Sequence, residues 1–258
     1  MPNEPKTGHV LLVGAGPGPV DLMTLRAVRA VESAQALLYD ALISVEAIAL
    51  AQPGCIRIET GKRSGRPSMQ QDAINRLTLR LARKGLRVVR LKSGDPSVFG
   101  RVGEEVDYLG LHGVSTEVVP GVTAACAAAA QFNFPLTHRG EARRVVFTTA
   151  RLEAGALCGD WSAAADPQAT LAVYMGSEVV GELCARSISA GRSPATPAIA
   201  IEKAGGADAR LYRGTLETLP ARLADKGDGP VLIVIGEVAS RATAVEIDSD
   251  DVAMVLRA

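Results

Sequence analysis

The stretch His9-Val10-Leu11-Leu12-Val13-Gly14-Ala15-Gly16-Pro17-Gly18 decides the fold class. An apolar run enters a glycine-rich loop, and a stretch of helical period over about Asp21–Ser33 follows it. The segment therefore reads as strand, tight loop and helix. In that placement backbone N–H groups and a helix N-terminus can face a ligand. The dinucleotide fingerprint G-x-G-x-x-G nevertheless fails, because Pro19 stands where the third glycine is needed. Pro17 stiffens the turn and removes an N–H from it. The loop looks shaped for close packing more than for donating to a pyrophosphate, and taken alone it equally fits a structural turn.

Outward from this unit the same alternation repeats, as in a parallel sheet covered by helices. Strands are expected at His9–Val13, Ala36–Tyr39, Cys55–Glu59, Arg87–Leu91 and Ser115–Val119. Helices are expected at about Asp21–Ser33, Ser44–Ala51, Met69–Arg83, Gly103–His112 and Val122–Phe132. A second set of strands comprises Val145–Thr149, Thr170–Met175, Thr196–Ile201, Ala209–Arg213 and Val231–Ile235, with helices near Glu178–Ala190 and Leu216–Ala224. The expectation is two α/β domains with mostly parallel sheets, residues 1–134 and 145–258. Residues 135–144, with Pro135, Gly140 and the basic run to Arg144, form the linker. The stretch Ala242–Ala258 has no clear period.

Composition narrows the class. With 258 residues and 47% apolar content the chain can bury a sizeable core. Twenty-eight Lys and Arg balance 28 Asp and Glu, which argues against a general nucleic-acid binder and leaves anionic ligands to local clusters. Cys55, Cys126, Cys158 and Cys184 form no C-x-x-C pair, so neither a zinc knuckle nor a redox motif is written; reduced, buried thiols are expected. No metal site is expected. No signal-peptide pattern opens the chain and no apolar run is long enough to span a membrane, so a cytoplasmic enzyme is expected.

Two further loops follow strands. Lys92-Ser93-Gly94-Asp95-Pro96-Ser97-Val98-Phe99-Gly100-Arg101 lies beyond the carboxyl end of Arg87–Leu91, where open α/β sheets bind ligands. Its glycines permit close backbone approach, Asp95 can accept hydrogen bonds, and Arg101 and Glu104 at i, i+3 project together. Pro120-Gly121-Val122-Thr123-Ala124-Ala125 opens an alanine-rich helix onto which a flat ring can settle, or which needs tight packing for its own sake. Asp40 ends one strand and Lys62 lies just past the next, so adjacent parallel strands would place both on one sheet edge as an acid–base pair. A cap or a surface charge serves equally for either.

Together these strings resemble the uroporphyrinogen-III C-methyltransferases, within the tetrapyrrole methylases. VGAGPG, LLYDALIS, GKRSG, RLKSGDPSVFGR, GEE, VVPGVTAA, PLTHR, VYMG and VIGEV run from residue 13 to 238 in the family's order. The resemblance implies a two-domain homodimer holding S-adenosylmethionine in the cleft between its domains. It also implies two methyl transfers, to C2 and C7 of uroporphyrinogen III, giving precorrin-2. It places the cofactor on Pro17, Ser93, Gly94, Asp95, Val98, Thr123, Ala124, Met175 and Ala204, and the proton acceptor and donor on Asp40 and Lys62. It implies the stand-alone methylase, since the first loop begins at residue 14. Three departures stand out: Ser93 and Val102 replace glycines, and Glu202-Lys203-Ala204-Gly205 replaces E-N-G-T.

The chemistry agrees with this set. Methyl transfer from a sulfonium needs donor sulfur, methyl and attacking carbon in line. A proton then leaves the ring, for which Asp40, Glu104 and Arg101 are candidates. Eight substrate carboxylates call for cations, and Arg63, Arg66, Arg101, Arg139, Arg143 and Arg144 can supply them. The alternatives are a sister precorrin methylase, a nucleotide-dependent oxidoreductase and a non-catalytic tetrapyrrole carrier.

Overall fold

The structure, a computed structural model, describes residues 8–61, 69–150, 152–153, 156–157 and 162–243. The chain divides into two compact units between Ala124 and Ala125. The first unit contains strands β1 (Val10–Gly14), β2 (Ala36–Tyr39), β3 (Ile56–Glu59), β4 (Val88–Lys92) and β5 (Thr116–Val119). Between them lie α1 (Leu25–Glu32), α2 (Val45–Ala49), α3 (Gln71–Arg83) and α4 (Val102–Leu111). The strands form one sheet of order β3-β2-β4-β1-β5, parallel throughout.

The central strands β1, β2 and β4 are buried on both faces and read as largely apolar runs, whereas the edge strands β3 and β5 are partly exposed and carry polar residues. Val13, Leu37, Val89 and Leu91 pack with Ala27, Ala30 and Val31 of α1 and Ala47 of α2. Val10, Leu12, Leu38 and Val88 point the other way, onto Leu79 and Leu81 of α3 and Leu109 of α4. Chain direction explains the division. Crossovers β1 to β2 to β3 move one way along the sheet, and β3 to β4 to β5 move back, so right-handed connections place the two helix pairs on opposite faces.

The second unit holds α5 (Ala124–Gln131), whose first residue closes the first unit, then β6 (Arg144–Thr149), β7 (Leu152–Glu153), β8 (Ala156–Leu157), α6 (Ser162–Ala165) and β9 (Ala169–Tyr174). After these come α7 (Val180–Ser189), β10 (Pro197–Glu202), β11 (Arg210–Thr215), α8 (Leu219–Arg222) and β12 (Val231–Ile235). Its main sheet has the order β11-β10-β12-β9-β6. Leu171, Val173, Ala198, Ala200, Ile233 and Ile235 bury one face under Leu183 of α7, Leu219 of α8 and Leu223 just after it.

All ten expected strands form, Ala36–Tyr39 and Val231–Ile235 with the expected limits. The α/β class with two sheets holds, and the first sheet is parallel as expected. The second is mixed: β6 and β9 are parallel, whereas β9–β12, β12–β10 and β10–β11 are antiparallel. The β10–β11 connection, residues 203–209, is too short for the helical crossover that parallel strands require. The first helix is also shorter than expected. Pro19, with φ −62° and ψ 142°, feeds a 3-10 turn at Val20–Leu22, and α1 begins only at Leu25, where the Thr24 hydroxyl accepts from the Ala27 N–H at 3.1 Å.

The short elements β7, β8 and α6 were absent from the expected set, being too short to show a period. Residues 135–144, expected as a linker, fold with the second unit: His138 and Ala142 form a bridge, and the Arg143 N–H donates to the Gln168 carbonyl at 2.9 Å. Of the unplaced stretch, Ala242–Ala258, all but Ala242 and Thr243 lies outside the described residues.

Beyond β10 a buried carboxylate fixes the turn that leads into β12. Glu202 accepts from the Gly229 N–H at 3.0 Å, the Tyr212 hydroxyl at 3.0 Å and the Gly227 N–H at 3.2 Å. These donors, the Gly229 N–H foremost, hold its carboxyl below the usual carboxylate range against the opposing effect of burial. A carboxyl whose value is depressed by folding stabilises above its unfolded value, about 4.3, and loses that contribution as pH falls through the folded one. Glu202→Gln is therefore expected to lower stability by roughly 1–3 kcal/mol at pH 7. In urea unfolding the gap from wild type narrows at pH 3.5; an equal gap at both pH values contradicts this account.

Candidate active site

The carboxyl ends of β1 and β4 lie side by side, Gly14 level with Lys92, and their exits leave toward opposite faces of the sheet. This is the switch-point crevice of an open α/β sheet. The loops there are tied by backbone. Gly16 and Gly94 form an antiparallel bridge, with N–H to O distances of 3.2 Å and 2.7 Å, and the Ala15 N–H donates to the Lys92 carbonyl at 2.8 Å. Asp95 joins the third loop: its Oδ2 accepts from the Gly121 N–H at 2.9 Å and its Oδ1 from the Ser97 N–H at 2.8 Å.

The loops meet too closely for side chains. A Cβ on Gly121 would lie 2.2 Å from the Gly94 carbonyl oxygen and 2.9 Å from the Gly14 Cα. Around this contact Pro17, Ser93, Gly94, Asp95, Val98 and Ala124 are half-buried and Thr123 is buried. The structure thus brings the seven expected cofactor positions of the first unit onto three joined loops. The α1 N-terminus is less directly part of them than expected, since the 3-10 turn and the Thr24 cap intervene.

Asp40 sits on the same edge, just past β2. Its expected partner Lys62 lies outside the described residues, as do Arg63 and Arg66. Among the described residues Asp40 pairs with Arg90 through Oδ1 and accepts from the Thr60 hydroxyl at 3.3 Å. Arg90 is 3% exposed, and its Nε donates to Glu105 Oε1 at 3.2 Å. The other Glu105 oxygen accepts from Lys92 Nζ at 2.9 Å, and the Gln71 amide donates to Oε1 at 3.1 Å. Burial, with the Arg90 charge beside it, pulls the Lys92 amine below its ordinary value while Glu105 pulls it back. This buried chain of Asp40, Arg90, Glu105 and Lys92 was not anticipated. The signal available was the pair of cations in V-V-R-L-K, a strand otherwise fit for full burial.

Arg101 opens α4 and forks onto Glu104, with Nε to Oε1 and Nη2 to Oε2 both 2.7 Å. Both side chains are about half exposed, and hydrogen bonding to Arg101 holds the Glu104 carboxyl below its usual range. Among the described residues the non-glycine positions with left-handed φ are Phe99, Arg101, Asn133, Met175 and Lys203. Arg101 and Met175 are expected site residues, Lys203 precedes Ala204, and Phe99 ends the loop carrying Asp95 and Val98. Backbone held in sparsely populated conformations concentrates at functional sites. Neither Ser93 nor Val102 is in this region, so the two residues replacing family glycines occupy backbone that any residue adopts.

In the second unit Met175 follows β9 and Ala204 follows β10, on the same sheet edge, because both strands run antiparallel to β12. Met175 is 51% exposed, so it is no core filler. The Ala125 N–H donates to the Tyr174 hydroxyl at 3.2 Å; Gln131 accepts from the Gly205 N–H and donates to the Gly206 carbonyl, both at 2.8 Å. The start and end of α5 thus hold the turns beside Met175 and Ala204. Arg139 and Arg143 are exposed, and Arg144 pairs with Asp166 at 2.5 Å. Of the cysteines expected to be buried, Cys184 is, its thiol pushed up to about 11 by burial. Cys55 is half-buried, Cys126 is exposed, and Cys158 lies outside the described residues.

A profile of the tetrapyrrole (corrin/porphyrin) methylases matches residues 9–220. The chain belongs to this family. Siroheme synthase of Methylococcus capsulatus is 47% identical over 237 residues, 91% of this chain and 50% of the relative. Siroheme synthase of Chromobacterium violaceum is 45% identical over 238 residues, 92% of this chain and 51% of the relative. The chain spans about half the length of the curated relatives it matches. Among solved structures, uroporphyrin III C-methyl transferase from Thermus thermophilus is 39% identical with a TM-score of 0.77, over 90% of this chain and 93% of its own. That enzyme has also been solved with S-adenyl homocysteine. Cobalt precorrin-4 methyltransferase, a cobalamin biosynthetic enzyme, is 28% identical with a TM-score of 0.81, over 93% of this chain and 98% of its own.

The glycine contact makes a direct prediction for this methylase. Gly121→Ala forces the Gly94 carbonyl and the Gly14 backbone apart, and we expect at least a tenfold loss of S-adenosylhomocysteine affinity by calorimetry. Gly103→Ala, whose Cβ meets nothing within 4 Å, serves as control. Unchanged affinity in Gly121→Ala would refute the role given to the contact.

Proposed function

We propose that the chain is an S-adenosylmethionine-dependent C-methyltransferase that methylates uroporphyrinogen III at C2 and C7 to give precorrin-2. The single observation carrying this reading is the tied set of three loops at the switch point, in a chain 39% identical to a uroporphyrin III C-methyl transferase. The charge of the loops supports it. Segments 14–19, 93–100 and 120–125 contain one charged residue, Asp95, and no lysine or arginine. A sulfonium cofactor bearing an adenosine meets one carboxylate, backbone polar groups and small side chains there. The residues fit S-adenosylmethionine, and Pro19 in place of the third fingerprint glycine speaks against the nucleotide-dependent oxidoreductase.

Pro17, Ser93, Gly94, Asp95, Val98, Thr123, Ala124, Met175 and Ala204 hold the cofactor in this reading. Bound there, the cofactor supplies an electrophilic methyl group. Asp40, paired with Arg90, accepts the proton that the substrate ring releases, one proton out for each methyl cation in, and Lys62 is the proton donor that moves protons between ring tautomers without net uptake. Arg101, held by the Glu104 fork, meets a substrate carboxylate; Arg139 and Arg143 meet others. Glu104, with both oxygens engaged by Arg101, orients that guanidinium and is not the base. Replacing both as Arg101→Gln/Glu104→Gln is expected to cut kcat/KM for the tetrapyrrole by about 10- to 100-fold, the equivalent of one charge-assisted bidentate pair. Cofactor affinity should stay within twofold; full turnover would remove the pair from the substrate site.

The deciding assay incubates the protein with S-adenosylmethionine and uroporphyrinogen III without oxygen and follows product mass. Two added methyl groups are expected. S-adenosylhomocysteine binding without methylated product overturns the substrate, and methylation of a later precorrin instead assigns the chain to the sister enzymes.

A further inference from the structure

Arg90 lies in β4, a strand buried on both faces, and reaches the site only through other side chains. Its guanidinium has two ends. Nη2 holds Asp40 Oδ1 at the carboxyl edge, and Nε donates to Glu105 Oε1 on the inner face of α4 at 3.2 Å. Glu105 is immobilised in turn by Lys92 Nζ at 2.9 Å and the Gln71 amide at 3.1 Å, and Gln71 also donates to Asn75 at 2.9 Å. Arg90, Lys92 and Glu105 are each under 5% exposed, while Asp40 keeps about a third of its side chain open. The chain of contacts therefore runs from a closed interior to one accessible carboxylate.

Two cations face two carboxylates, so the charge is balanced without help from solvent. A buried set of this kind is weak as a stability device, since desolvation offsets most of the attraction. Its geometric content is stronger. A planar guanidinium bonded at Nε and Nη2 has little freedom to rotate, so the Asp40 oxygen it holds is fixed relative to α4. Glu105 adjoins Glu104, so the element that anchors Arg90 also carries the Arg101 fork. Asp40 and the Arg101–Glu104 pair, far apart in sequence, are thereby set by one rigid link.

We infer that Arg90 is a positioning residue for the methyl transfer, fixing the Asp40 carboxylate against the start of α4 through Glu105. This rests on the function proposed above, in which Asp40 accepts the proton. A lysine at position 90 keeps the buried charge and loses the two-ended fork, so it separates geometry from charge.

The test is a double-mutant cycle of Arg90→Lys and Asp40→Asn, read as kcat for methyl transfer to uroporphyrinogen III with S-adenosylhomocysteine affinity and thermal unfolding followed in parallel. Arg90→Lys is expected to lower kcat by about 10- to 100-fold, as small misplacements of reacting groups do, with cofactor affinity within twofold of wild type. In the Asp40→Asn background the same change should cost less than twofold, because a positioning residue has nothing left to position. A kcat for Arg90→Lys within twofold of wild type, or an equal loss in both backgrounds, overturns the inference. Should Arg90→Lys not fold, Glu105→Gln replaces it in the cycle with the same expectations. If the wild-type chain binds S-adenosylhomocysteine but leaves uroporphyrinogen III unmethylated, the functional reading fails by itself. The Asp40–Arg90 link is then decided in thermal unfolding, where strictly additive shifts overturn it and non-additive shifts retain it.

Discussion

The backbone contact of Gly14, Gly94 and Gly121 is the constraint on which the rest of the first unit depends. No side chain fits between these segments, so the ends of β1, β4 and β5 must finish level. Register is enforced from the other direction by the two buried faces of the sheet, where a slip of one residue would turn each apolar side chain to the wrong layer. The Gly16–Gly94 bridge and the Asp95 bond to Gly121 then close the contact with hydrogen bonds that use no long, flexible side chain. Rigidity at the loop bases leaves their outer residues, Pro17, Ser93 to Val98, and Val122 to Ala124, displayed at fixed spacing.

Where the loops leave this contact, the backbone is strained. Phe99 and Arg101 flank Gly100, and both take left-handed φ, at about 1–3 kcal/mol each. Gly100 is no free choice, since a Cβ there would lie 2.4 Å from the Pro96 carbonyl. The loop is thus wound tightly on itself, and what the winding achieves is to bring the Arg101 guanidinium over the first turn of α4, where Glu104 takes it in a fork. An exposed ion pair of this kind contributes little to folding. The strain that orients this exposed pair is not recovered as stability.

Much of this was legible in the sequence. The ten strands, the loops that follow β1, β4 and β5, and the family all follow from apolar runs, glycine positions and ordered motifs. Periodicity could not give strand direction in the second unit, because an apolar strand reads alike in either sense; only the short β10–β11 connection carried that information. The start of α1 was misjudged because apolar spacing continues through the 3-10 turn that Pro19 imposes. Lys62, expected beyond β3 as the acid–base partner of Asp40, lies outside the described residues. Arg90 lies on the neighbouring strand on the other side, a distinction that strand order fixes and sequence order does not. Ser93 and Val102 depart from the family's glycines, and neither takes the left-handed φ that would favour one.

In an electrically neutral chain, charge is distributed unevenly. Segments 14–19, 93–100 and 120–125 carry only the charge of Asp95, with Arg101 at the end of the second loop, and two cations are buried in β4 against Asp40 and Glu105. Others stand exposed, at Arg101, Arg139 and Arg143. Burying Arg90 and Lys92 without carboxylates would cost several kcal/mol per ion, so their acids are obligatory. Glu105 is spent wholly on that neutralisation, being closed to solvent. Asp40 is not, because its outer oxygen lies where β2 ends and solvent begins. One carboxylate of a balanced set is therefore left open to solvent at the carboxyl edge of the sheet, held by a buried guanidinium.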